Sequence, residues 1–268
     1  MGIRSIGKKA FMFISPTYRK VDAIQSQLRE LNNPPAGVTE APTVSDAAPP
    51  PERVIRTPDP NNTEFWHDYY NMAENDAPEA FVKCIKPVLQ RYPTISLVSV
   101  LDFACGFGRI ANMVKNDAAH ITLCDINALA IDFCKERFAK DTTDCTFDYC
   151  VSDRSLTLPF KDAQFSFVYS WDAMVHFSYK WLDYYLEEFA RILQKGGHAL
   201  IHHSNYGNVN PEAEKSDNWF DNPHGRTNVT KEDFARIAAR HGFNVVEQTL
   251  MDWADEAHLD CLTLLSRE

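Results

Sequence analysis

The stretch "VLDFACGFGRIANMV", residues 100–114, constrains the fold more than any other part of the chain. A short apolar run leads into a glycine turn and then into helical periodicity, the junction at which a parallel α/β sheet presents its first strand to a ligand. The surrounding pattern agrees. "TEFWHDYYNMAEN" and "APEAFVKCIKPVLQRY" read as helices, and "SLVSVLDFA" as the first buried strand. A helix over 110–115, a strand over 120–124 closed by Asp125, a helix over 129–140 and a strand over 145–151 follow. Next come "FSFVYSW" as a strand, a helix over 180–194, "HALIHHS" as the fifth strand and a helix over 231–240. "FNVVEQTLM" and "DCLTLLSR" close the chain. Such alternation implies a mostly parallel sheet covered on both faces. Only "DWADEAHL" separates the last two strands, too little for a parallel crossover, so they are expected to pair antiparallel.

The chain divides into a basic, partly helical segment over 1–31, a proline-rich and disordered linker over 32–62, and one folded domain over 63–268. Net charge is −10, and the first twenty residues hold Arg4, Lys8, Lys9, Arg19 and Lys20 without an acid, which leaves −10 − 5 = −15 on the rest. So acidic a body repels a phosphate backbone and disfavours nucleic acid as the main substrate, so no nucleic-acid partner is expected. The seven cysteines form no C-x-x-C pair and are odd in number, which points to reduced thiols in the cytoplasm rather than a disulfide framework or a zinc cluster. "AFMFI" is too short to span a membrane, and Pro16 follows it. Val21, Ile24, Leu28 and Leu31 place four apolar side chains on one helical seam. Two partners for this tail stay open, the anionic inner face of a membrane, where the enzyme would be peripheral, and another helix in self-association.

Gly106, Gly108 and Ala111 also satisfy the dinucleotide-binding spacing, so the acids around the turn must decide the ligand. Asp102, four residues before Gly106, suits an ammonium group better than a pyrophosphate. Asp125 suits two ribose hydroxyls, and Asp153 in "CVSDRS" suits an adenine amino group. With "DFACGFG", "LCDIN", "SDRSLTLPF", "FSFVYSWDAMVHF" and "LQKGGHALI", residues 63–268 resemble a class I S-adenosylmethionine-dependent methyltransferase. The resemblance implies a Rossmann-like seven-stranded sheet in the order 3-2-1-4-5-7-6 with strand seven antiparallel and helices on both faces. It implies S-adenosylmethionine as cofactor, held by Asp102, Ala104, Gly106, Phe107, Gly108, Asp125, Ile126, Asp153, Ser170 and His176. Ala104 departs from the family, which carries glycine there.

"SWDAMVH", "IHHSN" and the late "DW…DC" hairpin resemble bacterial enzymes that methylate sugars during polysaccharide assembly. Where relatives acting on amino groups carry an N/D-P-P-Y stretch, this chain reads "SWDA", which favours an oxygen acceptor. A sugar hydroxyl needs a base as its bond to carbon forms. Asp172, His202 and His203 stand at the carboxyl ends of strands four and five, with His203 favoured as base and Asp172 as the orienting carboxylate. Asn205, His224 and Arg226 are the candidate acceptor-binding residues, Trp66, Tyr69 and Tyr70 could cover the methionine portion, and no metal is expected. The expected activity is O-methylation of a sugar or glycan precursor. A small-metabolite O-methyltransferase and a cofactor-binding scaffold for glycan-assembly enzymes are the alternatives.

Overall fold

Five parallel strands carry the first half of the sheet: β1 (Val100–Phe103), β2 (His120–Asp125), β3 (Thr146–Val151), β4 (Phe165–Ser170) and β5 (Leu193–Ser204). β6 (Phe243–Trp253) and β7 (Glu256–Arg267) complete it, and β7 runs antiparallel to both β5 and β6. The order is β3-β2-β1-β4-β5-β7-β6, as expected from the resemblance. The computed structural model describes residues 63–153, 157–212, 225–253 and 256–268. The basic tail, its heptad seam, the proline-rich linker and His224 lie outside the described residues, as do the side chains of Trp66 and Tyr69.

The helices among the described residues are α1 (Thr63–Ala80), α2 (Lys86–Arg91), α3 (Ala111–Val114), α4 (Ala128–Phe138), α5 (Tyr179–Ile192), α6 (Tyr206–Val209) and α7 (Lys231–Arg240). Two helices were expected before β1, broken near residue 76. Instead α1 runs on through Pro78 and passes into a π turn over Phe81–Ile85 before α2. Pro78 withdraws one backbone donor inside the helix, whereas Pro87 sits in the first turn of α2, where no donor is needed. α5 stops at Ile192, short of the expected 194, because Leu193 is already extended and paired with Phe165 in the sheet.

Each strand sends alternate residues to opposite layers. Val100, Ile121, Phe167 and Leu200 pack under α1 to α4, against Ile85, Val114, Ile131 and Phe138. Leu101, Val168, Ala199 and Ile201 pack on the other face against Leu182, Leu186 and Phe189 of α5 and Phe234 and Ile237 of α7. Helix starts are set locally. Asn127 Oδ1 accepts the Leu129 N–H at 3.1 Å to open α4. Thr230 and Asp233 cap α7 reciprocally, at 2.9 and 3.2 Å. No helix among the described residues is long and apolar enough to cross a membrane.

The turn after β1 winds through three residues of positive φ: Ala104 at 58°, Gly106 at 53° and Gly108 at 70°. A side chain on Gly106 would stand 2.7 Å from Tyr70 Cε1, so this glycine is required by space as well as by backbone. Ala104 adopts the same left-handed conformation with a β-carbon, at a cost of about 1–2 kcal/mol. Ala104→Gly is therefore expected to raise the free energy of unfolding by about 0.5–1 kcal/mol, the strain relieved less the added freedom of glycine in the unfolded chain. Equilibrium urea denaturation measures it, and a destabilised variant would contradict the assignment of strain.

Candidate functional site

The glycine turn is held open by the acid at the end of β2. Asp125 Oδ2 accepts the Gly106 N–H at 2.9 Å, and Oδ1 accepts the Asn127 N–H at 2.9 Å. Burial raises this carboxyl above its ordinary range, while the Asn127, Gly106 and Ile126 amides oppose the shift. Asp102, one residue before the end of β1, lies in the core, where the Tyr169 hydroxyl donates to its Oδ2 at 2.8 Å. Burial pushes Asp102 up to about 7, against the pull of the Tyr169 hydroxyl, with Asp125 adding to the rise and Arg109 and the Ala111 N–H opposing it. Tyr70 of α1 lies over the turn, its ring 4.4 Å from that of Phe107. Phe107 in turn stacks on Phe133 at 4.0 Å, so the turn offers its backbone rather than that ring.

Two buried polar atoms beside this turn have no partner among the described residues: Ser170 Oγ at the end of β4 and Asn127 Nδ2 after β2. A buried donor or acceptor left unpaired is costly, and a polar ligand in the crevice would satisfy both. Ile126 and Asp153 are exposed at the ends of β2 and β3, beside the same crevice. An acid on the second strand, a cradle closed to a β-carbon and two orphaned polar atoms together fit S-adenosylmethionine.

A charged network fills the other side of the crevice. Arg226 grips Asp260 of β7 with two bonds, Nε to Oδ1 at 3.0 Å and Nη2 to Oδ2 at 2.6 Å. Its guanidinium lies 4.7 Å from the Trp253 ring centre and 3.8 Å from Asp172 Oδ1. Asp172 also takes the Arg109 guanidinium at 2.9 Å. Burial alone would raise the Asp260 carboxyl, but the positive charge of Arg226 and the neighbouring His202 hold it well below the usual range. Asp172 follows β4 with φ of 55°, and its N–H donates to His202 Nδ1 at 3.2 Å. Since Nδ1 accepts, Nε2 carries the proton, and it donates to Asp260 Oδ2 at 3.1 Å. The His202 ring is fully buried between Trp171 and Trp253.

The two neighbouring histidines therefore separate. His203 points into the opposite layer, where its ring stacks on Phe234 at 3.7 Å. Nδ1 donates to the Ser204 carbonyl at 2.9 Å, and Nε2 accepts the Thr263 hydroxyl at 2.8 Å. With 0% exposure and both nitrogens engaged, His203 is a core group, which corrects its assignment as the base. His202 is likewise bonded through both nitrogens, so it positions Asp172 and does not itself take a substrate proton. Asn205 is corrected too. It is buried, donates to the His258 carbonyl, and its Oδ1 accepts from Asn208 and from the Lys231 N–H, tying β5 to the start of α7. Arg226, expected on an acceptor loop, is instead the cation at the centre of the network.

His176 lies at the end of the 3-10 turn after β4, partly exposed. Its Nδ1 is 2.7 Å from the Gly225 carbonyl, so Nδ1 carries the proton and Nε2 is the acceptor. Burial, then the positive charge of Arg226, lowers its pKa to about 4, which keeps the ring neutral at physiological pH. Sequence reasoning missed Asp260, Arg109 and Tyr169. Asp260 had a signal, an acid set directly before the mostly apolar run "CLTLL". Among the described residues, no group of three or more His, Cys, Asp or Glu is placed to hold a metal ion.

Residues 100–197 match the family described as a methyltransferase domain. None of the curated protein sequences matches the chain. Among solved structures, the chain is similar to the PH0226 protein of Pyrococcus horikoshii OT3, at 19% identity and TM-score 0.56, over 78% of this chain and 94% of that one. It is similar to a Haloferax volcanii putative methyltransferase, or its partner, solved in complex with the Trm112 activator, at 20% identity and TM-score 0.55, covering 75% and 96%. A TehB-like S-adenosylmethionine-dependent methyltransferase from Corynebacterium glutamicum aligns at 16% identity and TM-score 0.53, over 77% of this chain and the whole of that one.

Two imidazoles with lowered pKa carry a consequence for acid stability. Burial lowers His203 to about 3 and His176 to about 4, both below the ordinary 6.5. The unfolded chain therefore binds more protons than the folded one below pH 6.5. Their contribution is complete above that pH and is lost as pH falls towards 4 and then 3, at up to about 1.4 kcal/mol per pH unit for each group. Urea midpoints measured from pH 7 to 4 check this, and His203→Phe should flatten the fall. An unaltered slope in that variant would show that His203 titrates normally.

Proposed function

We propose that the chain is a methyltransferase that uses S-adenosylmethionine on a class I fold, a reading supported by the match of residues 100–197 to a methyltransferase domain and by the fit of the crevice, and that it methylates a hydroxyl oxygen on a sugar or glycan precursor. The observation that carries the reading is the Asp172 carboxylate at the open end of β4, held between Arg109 and Arg226 beside the partly exposed Trp253 ring. Carboxylates and guanidinium groups set next to an aromatic face are the chemistry that binds a polyol, whose hydroxyls need bonds and whose C–H faces need an apolar surface.

When bound, the cofactor supplies a methyl group already activated by its sulfonium. The protein's contribution is orientation and removal of one proton. Asp125, the backbone of 104–108, Ser170 and Asn127 would hold the cofactor. Asp172 receives a donor hydroxyl of the acceptor, its backbone fixed through His202. His176 takes the proton of the reacting hydroxyl on Nε2, the role expected of His203 from its place on the fifth strand. Exposed Asp153 and Ile126 are assigned to the adenine end. The acidic body argues against nucleic acid, and the basic tail is assigned to a membrane surface or a second helix, as its sequence suggests.

Two measurements test this. Transfer of a labelled methyl group is expected to sugars or nucleotide-linked sugars, and transfer confined to hydroxylated metabolites without a sugar would establish the small-metabolite alternative instead. His176→Gln should lower kcat by roughly 10²-fold while S-adenosylhomocysteine affinity stays nearly unchanged. A parallel loss of that affinity would assign His176 to the cofactor wall and remove it as the base.

A further inference from the structure

Arg109 leaves the glycine turn one residue after Gly108 and reaches two separate parts of the molecule. One guanidinium nitrogen donates to the Ala73 carbonyl of α1 at 2.8 Å, and another donates to Asp172 Oδ2 at 2.9 Å. The side chains of Arg109 and Asp172 are 16% and 15% exposed, so the pair is mostly withdrawn from water. The same turn of α1 is fixed a second time, since Arg137 donates to the Phe107 carbonyl at 2.8 Å and pairs with Glu74 at 2.5 Å. Tyr70, three residues before Ala73 and on the same helical face, covers Gly106. Helix α1 therefore closes the cofactor turn and presents a carbonyl to Arg109 at once.

Asp172 needs outside support to hold its place. Its φ of 55° is sparsely populated for a residue with a β-carbon, and such a backbone persists only where its surroundings determine it. His202 holds the N–H, and Arg109 and Arg226 hold the carboxylate. Arg226 is itself locked to Asp260, so it is fixed whatever α1 does. Arg109 is the member of this set whose other bond depends on α1.

We propose that Arg109 is a positioning residue that sets the Asp172 carboxylate while α1 is docked on the glycine turn, so that cofactor binding and the acceptor side of the crevice are coupled through one guanidinium. The planar fork of arginine suits the task because it offers donors in two fixed directions, whereas the ammonium of lysine concentrates its charge at one point. The consequence is reciprocal: a filled turn favours docked α1 and the final orientation of the acceptor carboxylate, and that orientation in turn favours docked α1. The inference rests on the reading of Asp172 as an acceptor-side group, but its test needs no acceptor.

The test is hydrogen exchange on the full chain with S-adenosylhomocysteine as probe. In the wild type, saturating probe slows exchange across residues 70–80, across 104–108 and at the Asp172 amide. In Arg109→Lys, the probe still protects 104–108, while its effect at the Asp172 amide falls by about tenfold, the size of an ordinary coupling between sites. By reciprocity, Asp172→Asn, whose side chain tolerates the same backbone, loses protection over 70–80 by a similar factor. Amides of β4 and β5 at 165–169 and 199–201 serve as controls that a merely structural role would also move. An Asp172 amide that responds as in the wild type, or a uniform loss that includes the controls, overturns the coupling. Absence of protection at 104–108 in the wild type overturns the cofactor premise instead, and the two failures are thereby distinguished.

Discussion

The buried pair of Arg226 and Asp260 is the interaction on which the crevice depends. Asp260 sits opposite Ser204 in the antiparallel pairing of β7 with β5, so an acid enters the core only because the last strand is inserted in reverse beside β5. A lone buried carboxylate there would be prohibitive, and removing one partner of such a pair costs about 3–5 kcal/mol. Two bonds from Arg226 and one from His202 satisfy it. From this neutralised centre the rest follows: His202 has its tautomer fixed, its Nδ1 becomes an acceptor, and the backbone of Asp172 is held at the mouth of the site.

The two halves of the crevice use charge differently. On the cofactor side, acids are buried against hydroxyl and amide donors, with Asp102 bonded to Tyr169 and Asp125 to the glycine turn, and burial raises both carboxyls. On the side proposed for the acceptor, two guanidinium groups meet two carboxylates, and the Asp260 carboxyl is driven the other way. The first arrangement makes room for a cationic ligand, whereas the second is balanced before any ligand arrives. A site balanced in this way suits recognition by hydrogen bonds rather than by net charge, in keeping with the acceptor proposed above.

The antiparallel end pair and the glycine turn were legible because they follow from periodicity and spacing, which the backbone must obey, whereas the strand order came from the family resemblance, since periodicity does not decide which strands are neighbours. Element ends were less so: α1 continues through Pro78, and α5 gives way to β5 with no loop between Ile192 and Leu193. In the site, the alternation of "HALIHHS" did place His202 and His203 on opposite faces, but not which face held the crevice. That depends on α7 covering one layer with Phe234 and on Trp253 returning over the other, contacts between segments distant in the chain. Asn205 misled because its loop position resembles a binding residue, while the need to satisfy the Lys231 amide is visible only in three dimensions.

The left-handed backbone at Asp172 has a further consequence for how this position tolerates change. Beyond glycine, asparagine and aspartate adopt that sparsely populated conformation at the least cost, because their short polar side chains bond locally. Glutamate, the usual conservative exchange for an acid, would carry its carboxylate farther out on a backbone it does not favour. The repertoire of side chains compatible with the mouth of the crevice is thus set by a single dihedral angle, before any question of chemistry arises.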